Sequence, residues 1–528
     1  MEIDLHFPAA GVSVSEAFSR QPNRPVLGKY ARSTPLGRNV RTFDSLGRAR
    51  GGLRPGLEKY LAARPGDVRY ITQCLGLLAY VGGSPVQSSQ QGRDNRLFAI
   101  SQGNMYYVSA GGTTWTSVTN STGETPPLNI TGIVRYTVCN QYVFFADGTN
   151  RVYYDPVSNS LKPWTLTAGE FPTDADDNYP RLICTWNGRV VMADILGDTI
   201  NIFASAQGDP FDYDYDPPDT PVPQTTAFAL NAAPMGYTGK PITTLIPYSD
   251  DQLVIGMTSQ IAVLRGDPYA GGRIDLVTNT IGMAYGDSWC MDGTGIVYFF
   301  SNLNSIFRFV PGAQPERMSH PIDNLLEDVD PGEYQILLGW EENRQELHVW
   351  VTLLSTTLAT THYVWEKEAN AWWTVVFSNS DHNPLCRVHF DGNDRADRRL
   401  LIGSWDGYVR SVSTDATDDD GTDIDSEVWI GPFLTNIGDE VLLREVQGIL
   451  GEDSGDVNYE VYVGQTAEEA LSSTAVASGT WSAGRNYNDV VMRAGYAAYI
   501  RITSAVPWAM ESVRVLVGDQ GTVRRRGK

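Results

Sequence analysis

The sequence predicts an all-β protein: a β-propeller of seven blades, within a range of six to eight, followed by a C-terminal antiparallel β-sandwich or barrel-like domain and preceded by an extended N-terminal arm. Three observations carry this. Strand-length apolar runs recur at a spacing near fifty residues. Gly and Pro, 51 and 29 among 528 residues, interrupt every window that could host a long helix. Between them, β-branched and aromatic residues dominate.

The arm comes first, over residues 1–64. It carries 11 Lys/Arg against 5 Asp/Glu, a net of +6, which leaves −28 on the other 464 residues of a chain whose total is −22. Pro8, Pro22, Pro25, Pro35, Pro55 and Gly51-Gly52 punctuate it, and it has almost no amphipathic period. Such a segment buries little by itself and is expected to order against a neighbour. Arg48, Arg50, Arg54, Lys59 and Arg64 are the assembly-interface candidates, because a guanidinium fork can hold a carboxylate bidentately while its stem packs. The alternative is that the arm wraps its own propeller. A chain lacking residues 1–50 is expected to stay a soluble propeller that no longer assembles.

The propeller is assigned to residues 65–413. Seven segments share one design of polar turn, apolar strand, second turn and second strand. They begin at Asp94, Asn140, Asn187, Asp250, Thr294, Asn343 and Asn393, with spacings of 46, 47, 63, 44, 49 and 50 residues. A small antiparallel sheet cannot bury both faces alone, so copies of it close into a ring. Strands in Arg69–Val81 are expected to complete a blade with a later segment. Short helices are expected at Leu57–Ala63, at Pro321–Leu326 after Ser319, and at Ala467–Leu471 behind a Thr466 cap.

Residues 414–427 (TDATDDDGTDIDSE) read as a solvated acidic linker, and 428–518 as alternating strands of the C-terminal β-domain. Residues 519–528 form a basic tail with Arg524, Arg525, Arg526 and Lys528. Met1–Pro8 has neither the basic nor the apolar region of a signal peptide. Cys74–Val81 is apolar but too short to cross a bilayer. Five scattered cysteines, at 74, 139, 184, 290 and 386, read as buried free thiols rather than a disulfide framework. A soluble chain assembled in reducing cytosol is expected.

The candidate chemistry is acidic. AQGDPFDYDYDPPD (206–219) interleaves Asp209, Asp212, Asp214, Asp216 and Asp219 with Phe211, Tyr213 and Tyr215. A calcium site or a glycosidase pair is one reading; a chain of turns is the other. The Gly-Asp-Pro-aromatic motif recurs at Gly266–Tyr269 without the extra aspartates, which favours turns. Asp418, Asp420, Gly421 and Glu427 match part of a calcium loop, but Ala416 stands at its first position. Asp381, His382, Cys386, His389 and Asp391 could bind metal, yet a second Cys/His pair is missing. His389 is expected to face a blade neighbour. Arg265-Gly266-Asp267 belongs to the repeated turn, and Gly239-Lys240-Pro241 lacks the spacing of a phosphate loop. No catalytic residue, cofactor or metal site is assigned, and the chain is read as a non-enzyme.

Val108–Trp115 (VSAGGTTW) resembles the sialidase Asp-box in its Gly and Thr-Trp, with Val108 and Ala110 replacing the Ser and Asp. A broader resemblance covers most of the chain. It rests on GGLRPGLEKYLAARPG (51–66), on Trp186-Asn187-Gly188-Arg189 followed by Ser205 and GDPF, on Ile281-Gly282 through SNLNSIFRF and MSHPIDNLL, and on RAGYAAYIRIT (493–503). In this layout the chain resembles the propeller-containing tail hub, or nozzle, proteins of short-tailed bacteriophages (tail tubular protein B and tail stabilisation proteins). The resemblance implies a structural virion subunit in a hexameric ring below the portal and adaptor. Such a ring carries fibres, spikes or a needle and lets double-stranded DNA pass without sequence-specific binding. An acidic body suits a conduit, since phosphate contacts would retard the DNA. The rival expectation is a carbohydrate-binding or glycan-degrading propeller, served by aromatic-rich loops and paired aspartates.

Overall fold

The computed structural model describes residues 2–519 apart from 22, 27–28, 44–46, 49, 67, 79, 82–83, 86–92, 102, 110–111, 121–127, 129–133, 219–221, 234–235, 391–397 and 434–439. Residues 520–528 of the basic tail, Asp219 and Asp391 therefore lie outside the described residues.

Two-residue periodicity builds the core. In the hairpin of Gln252–Met257 and Ile261–Arg265, Leu253 lies opposite Leu264 and Val254 opposite Val263. Leu253, Ile255, Met257, Ala262 and Leu264 pack on the sheet before, around Cys184, Trp186 and Val191. Val254, Ile261 and Val263 pack on the sheet after, around Val297, Phe299 and Phe309. Alternate side chains of one strand thus enter two different cores. Each buried aliphatic or aromatic side chain contributes about 1.5–3 kcal/mol relative to exposure. The fold is a propeller-like succession of such layers.

Among the described residues, seven largely antiparallel sheets follow in chain order, with first strands Val68–Leu78, Arg135–Cys139, Leu182–Trp186, Ile242–Ser249, Trp289–Met291, Tyr334–Glu341 and Pro384–Phe390. The repeated hairpins supply their second and third strands. Pro384–Phe390 packs beside Val68–Leu78, which joins the last sheet to the first. Val68–Leu78 completes the first sheet with the later segment Arg93–Ser101, Gln73 opposite Leu97. The last sheet takes its fourth strand from the arm. Gly56–Lys59, where the sequence suggests a helix, pairs with Val409–Ser413 as the fourth strand of the last sheet. Leu57 is buried there between sheets, and that burial overrides local helix preference. The other two short helices form: Asp323–Leu326 continues a 3-10 turn, and Ala467–Ser472 has Thr466 Oγ1 accepting from the Glu469 amide.

The C-terminal β-domain packs two sheets face to face. Glu2–Leu5, Met510–Asp519, Val441–Leu450 and Asp489–Gly495 form one. The other holds Ser426–Ile430, Ala497–Ser504, Val457–Gly464 and Ala477–Trp481, in that order. Val446, Val513 and Val515 meet Val461, Ile500 and Ile502 in the shared core.

The arm crosses the whole molecule. Glu2–Leu5 is an edge strand of the C-terminal domain, with Ile3 opposite Val515. Gly37–Arg38 lies between the sixth propeller sheet and the C-terminal domain, pairing with Ala371–Val375 on one side and Ser426–Ile430 on the other. The result is one continuous nine-stranded sheet. Phe7, Ala10, Val12, Val40 and Leu53 are buried in the same core as Trp372 and Val428. Gly11, at φ +76°, presses on Trp372, whose amide nitrogen would lie 2.6 Å from an added Cβ. The arm therefore buries its apolar residues in its own chain.

Candidate functional site

The candidate site is the junction where arm, last sheet and acidic linker meet. Arg54 Nη1 and Nη2 donate to Asp419 Oδ1 and Oδ2 at 2.9 and 2.5 Å, and Arg54 Nε donates to Asn39 Oδ1 at 3.0 Å. Asn39 Nδ2 in turn donates to the carbonyls of Val376 and Asp425 at 2.9 and 2.8 Å. One asparagine thus joins arm, propeller and linker. Asp419 is fully buried, so the linker is not solvated at this point.

Lys59 Nζ and Arg410 Nη2 converge on Asp420, at 2.9 and 2.7 Å. Burial disfavours the Asp420 carboxylate, but the hydrogen bonds from Lys59 and Arg410 outweigh it and hold the carboxyl below its usual range. Arg50 pairs with Glu511 at 2.6 Å and with Asp453 at 3.5 Å; Arg48 reaches Asp453 at 3.9 Å. Arg64 donates to the Asp406 carbonyl and lies over the Tyr408 ring. The sequence reading expects these five cations to pair with acidic surface on an adjacent subunit or on the adaptor ring. Within the single chain each of them has a partner as well, because the arm runs along the acidic body on the way to its strand positions.

The aspartate-rich strap is made of turns around the two-residue strand Asp212–Tyr213, which pairs with Ala168–Gly169. Asp209, Asp212 and Asp214 each accept, through Oδ1, the amide two residues on, at 2.9, 2.9 and 3.1 Å. Asp267 does the same for Tyr269 at 3.0 Å, so the two Gly-Asp-Pro motifs are alike. Between the aspartates, Phe211 and Tyr213 pack with Phe144 and Trp164 between the second and third sheets. Asp267 also receives the fully buried Arg189 at 2.8 Å, tying the third sheet to the fourth.

The other candidates do not come together. Asp418 accepts from the Gly421 amide at 2.7 Å, whereas Glu427 pairs with Arg501 at 2.8 Å. His382 and Cys386 are buried, and His389 is exposed rather than set against a neighbouring blade. Among the described residues no three metal-capable side chains share a site. Arg265 pairs with Asp275 at 3.0 Å. Trp115, the last residue of the Asp-box-like run, donates to the Ala63 carbonyl at 3.0 Å. Cys139, Cys184, Cys290 and Cys386 are free and buried, and burial pushes the Cys139 thiol up to about 11. The side chain of Cys74 lies outside the described residues. Sequence reasoning did not single out Arg135 and Arg387, which face the cavity on the propeller axis. Their signal is a cation at an otherwise apolar or small-polar first strand.

No protein-family model matches the chain, and no curated protein does. Among solved structures, it is similar to the extracellular domain of a hybrid two-component system from B. thetaiotaomicron, at TM-score 0.43 and 12% identity over 76% of this chain and 45% of that one. A one-component-system extracellular domain from the same organism gives TM-score 0.41 and 11% identity, over 76% of this chain and 46% of that one. The chain thus spans less than half the length of these two. YCF48 bound to D1 peptide gives TM-score 0.38 and 11% identity, over 68% of this chain and 99% of that one.

Proposed function

We propose that this chain is a structural subunit of a virion, a tail hub or nozzle ring that extends the DNA channel of a short-tailed bacteriophage. In this reading six copies form the ring, the adaptor and portal lie above it, and fibres, spikes or a needle lie below. The ring assembles in the host cytoplasm and passes the genome without reading it.

The observation that supports the reading best is the strand Gly37–Arg38, which makes one sheet of a propeller blade and the C-terminal domain. A subunit that transmits force between tail parts needs its modules fixed to each other, and linked domains otherwise move by default. The charge balance agrees. Pairing the arm's cations within the chain neutralises basic groups that could hold DNA, and the remaining body repels a polyanion.

Native mass spectrometry of the purified full chain is the test. The expected species is a stable closed ring of about six copies, consistent with the closed symmetry of most assemblies. A strict monomer at all concentrations that retains oligosaccharides on a glycan array would overturn the hub reading in favour of the carbohydrate-binding one.

A further inference from the structure

We propose that the cavity on the propeller axis is a binding site for one small multivalent oxyanion of the phosphate class. Residues of the second, third, fourth, fifth and last sheets line an open cavity of about 330 Å³ there, within the size range of small-ligand sites. Two cations line it, from the second and the last sheet, and each hydrogen-bonds within residues 285–289. Arg135, from the second sheet, donates through Nη1 to the Arg181 carbonyl at 3.1 Å and to the Tyr285 hydroxyl at 3.5 Å. Its guanidinium lies 4.6 Å from the centre of the Tyr285 ring. Arg387, from the last sheet, donates through Nη2 to the Trp289 carbonyl at 2.6 Å.

What these contacts leave over points to the ligand. Arg135 is 8% exposed, and its Nε and Nη2 have no hydrogen-bond partner; neither has Nε of Arg387. Nε and Nη2 form the edge of a guanidinium that holds two oxygens of one oxyanion side by side. Neither arginine has an ion-pair partner among the described residues. Asp194, the carboxylate of this network, is taken by Arg181 at 2.8 Å and by the Tyr285 hydroxyl at 2.6 Å. Gly286 makes room for the arrangement, since a Cβ there would lie 2.1 Å from Arg135 Nη2. Thr137 adds a hydroxyl to the wall, and Asp287 is the single carboxylate among the lining residues. Arg135 is buried and Arg387 half-buried, and Asp287 offers one carboxylate against the two cations, so an anion in the void supplies the charge still missing. The site is independent of the tail-hub reading.

The test is isothermal titration of the full chain with inorganic phosphate, with sodium chloride holding the ionic strength constant. We expect saturable binding of one phosphate per chain. Arg135→Gln should weaken it about tenfold or more, as expected when a charged hydrogen-bond partner is lost. Asp287→Asn should tighten it by removing a like charge. Absence of saturable heat in the unaltered chain overturns the proposal, as does a phosphate affinity that Arg135→Gln leaves unchanged. Should Arg135→Gln fail to fold, Arg387→Gln and Asp287→Asn decide: opposite shifts support the site, and unchanged affinity in both overturns it.

Discussion

Arg54 and Asp419 hold each other through two parallel hydrogen bonds, 2.9 and 2.5 Å, across 365 residues of chain, with the carboxylate fully buried. The pair fixes the arm to the linker at the point where the propeller ends and the C-terminal domain begins. Removing one member leaves the other charged and without water, which costs about 3–5 kcal/mol. Asp419→Ala should therefore lower the midpoint of urea unfolding substantially. A midpoint equal to that of the parent chain would show that the pair contributes nothing to holding the junction.

A second buried acid makes a pH prediction. Glu366 lies opposite Glu346 and accepts from the Thr42 amide and the Trp373 indole. Burial, then repulsion from Glu346, pushes its carboxyl up to about 7. The folded chain therefore keeps a proton that the unfolded chain releases at its ordinary value of 4.5, so this group's contribution to stability falls as pH rises from 4.5 to about 7. His362, lowered to about 4 by burial, acts in the opposite sense as pH rises towards 6.5 and masks part of the effect. Glu366→Gln isolates it. The variant should be more stable than its parent by about 1–3 kcal/mol above neutrality, with the difference closing near the ordinary carboxyl value. Thermal melts of both chains across this range would read it. A difference independent of pH would contradict the assignment.

The strap at residues 206–219 predicts a contrast between neighbours in sequence. Replacing Asp212, Asp214 and Asp216 by Asn keeps an oxygen that can accept the turn amide, so metal content and melting temperature should not change. Tyr213→Ala empties a fully buried site among Phe171, Trp164 and Tyr215 and should cost about 3–5 kcal/mol. Loss of a bound cation from the triple Asn variant, measured by elemental analysis, would reverse this reading.

The hairpins were legible because alternation marks a strand wherever both faces meet apolar cores, as in Leu253, Val254 and Ile255. The Thr466 cap was legible for an equally local reason. The arm was not. Gly37–Arg38 and Gly52–Leu53 are two residues each, too short to show a period, and the partners of Gly37–Arg38 lie far away in sequence. Asp419 was hidden by company, since a buried aspartate among Asp418, Asp420 and Asp423 looks like any other residue of a solvated acidic run. For the same reason the arm's cations were visible as charge but not as pairs. Pairing partners are set by tertiary proximity, which composition does not encode.

Those strands also change what truncation should do. A chain lacking residues 1–50 loses Glu2–Leu5, Gly37–Arg38 and the buried Phe7, Ala10, Val12 and Val40. Rather than a soluble propeller that fails only in assembly, the expected product aggregates, or melts well below the full chain by light scattering and circular dichroism. A monodisperse truncated chain with the parent's melting temperature would show that the arm is dispensable to the fold.

Differential scanning calorimetry of the intact chain tests most directly whether the arm makes the propeller and the C-terminal β-domain one body. They share a core that includes Trp372, Val428 and Ile500, so they should unfold together in a single cooperative transition, with Asp419→Ala moving the whole peak down. Two resolved peaks, of which Asp419→Ala shifts only one, would mean that the modules fold independently, and the account of the arm as their joint would be wrong.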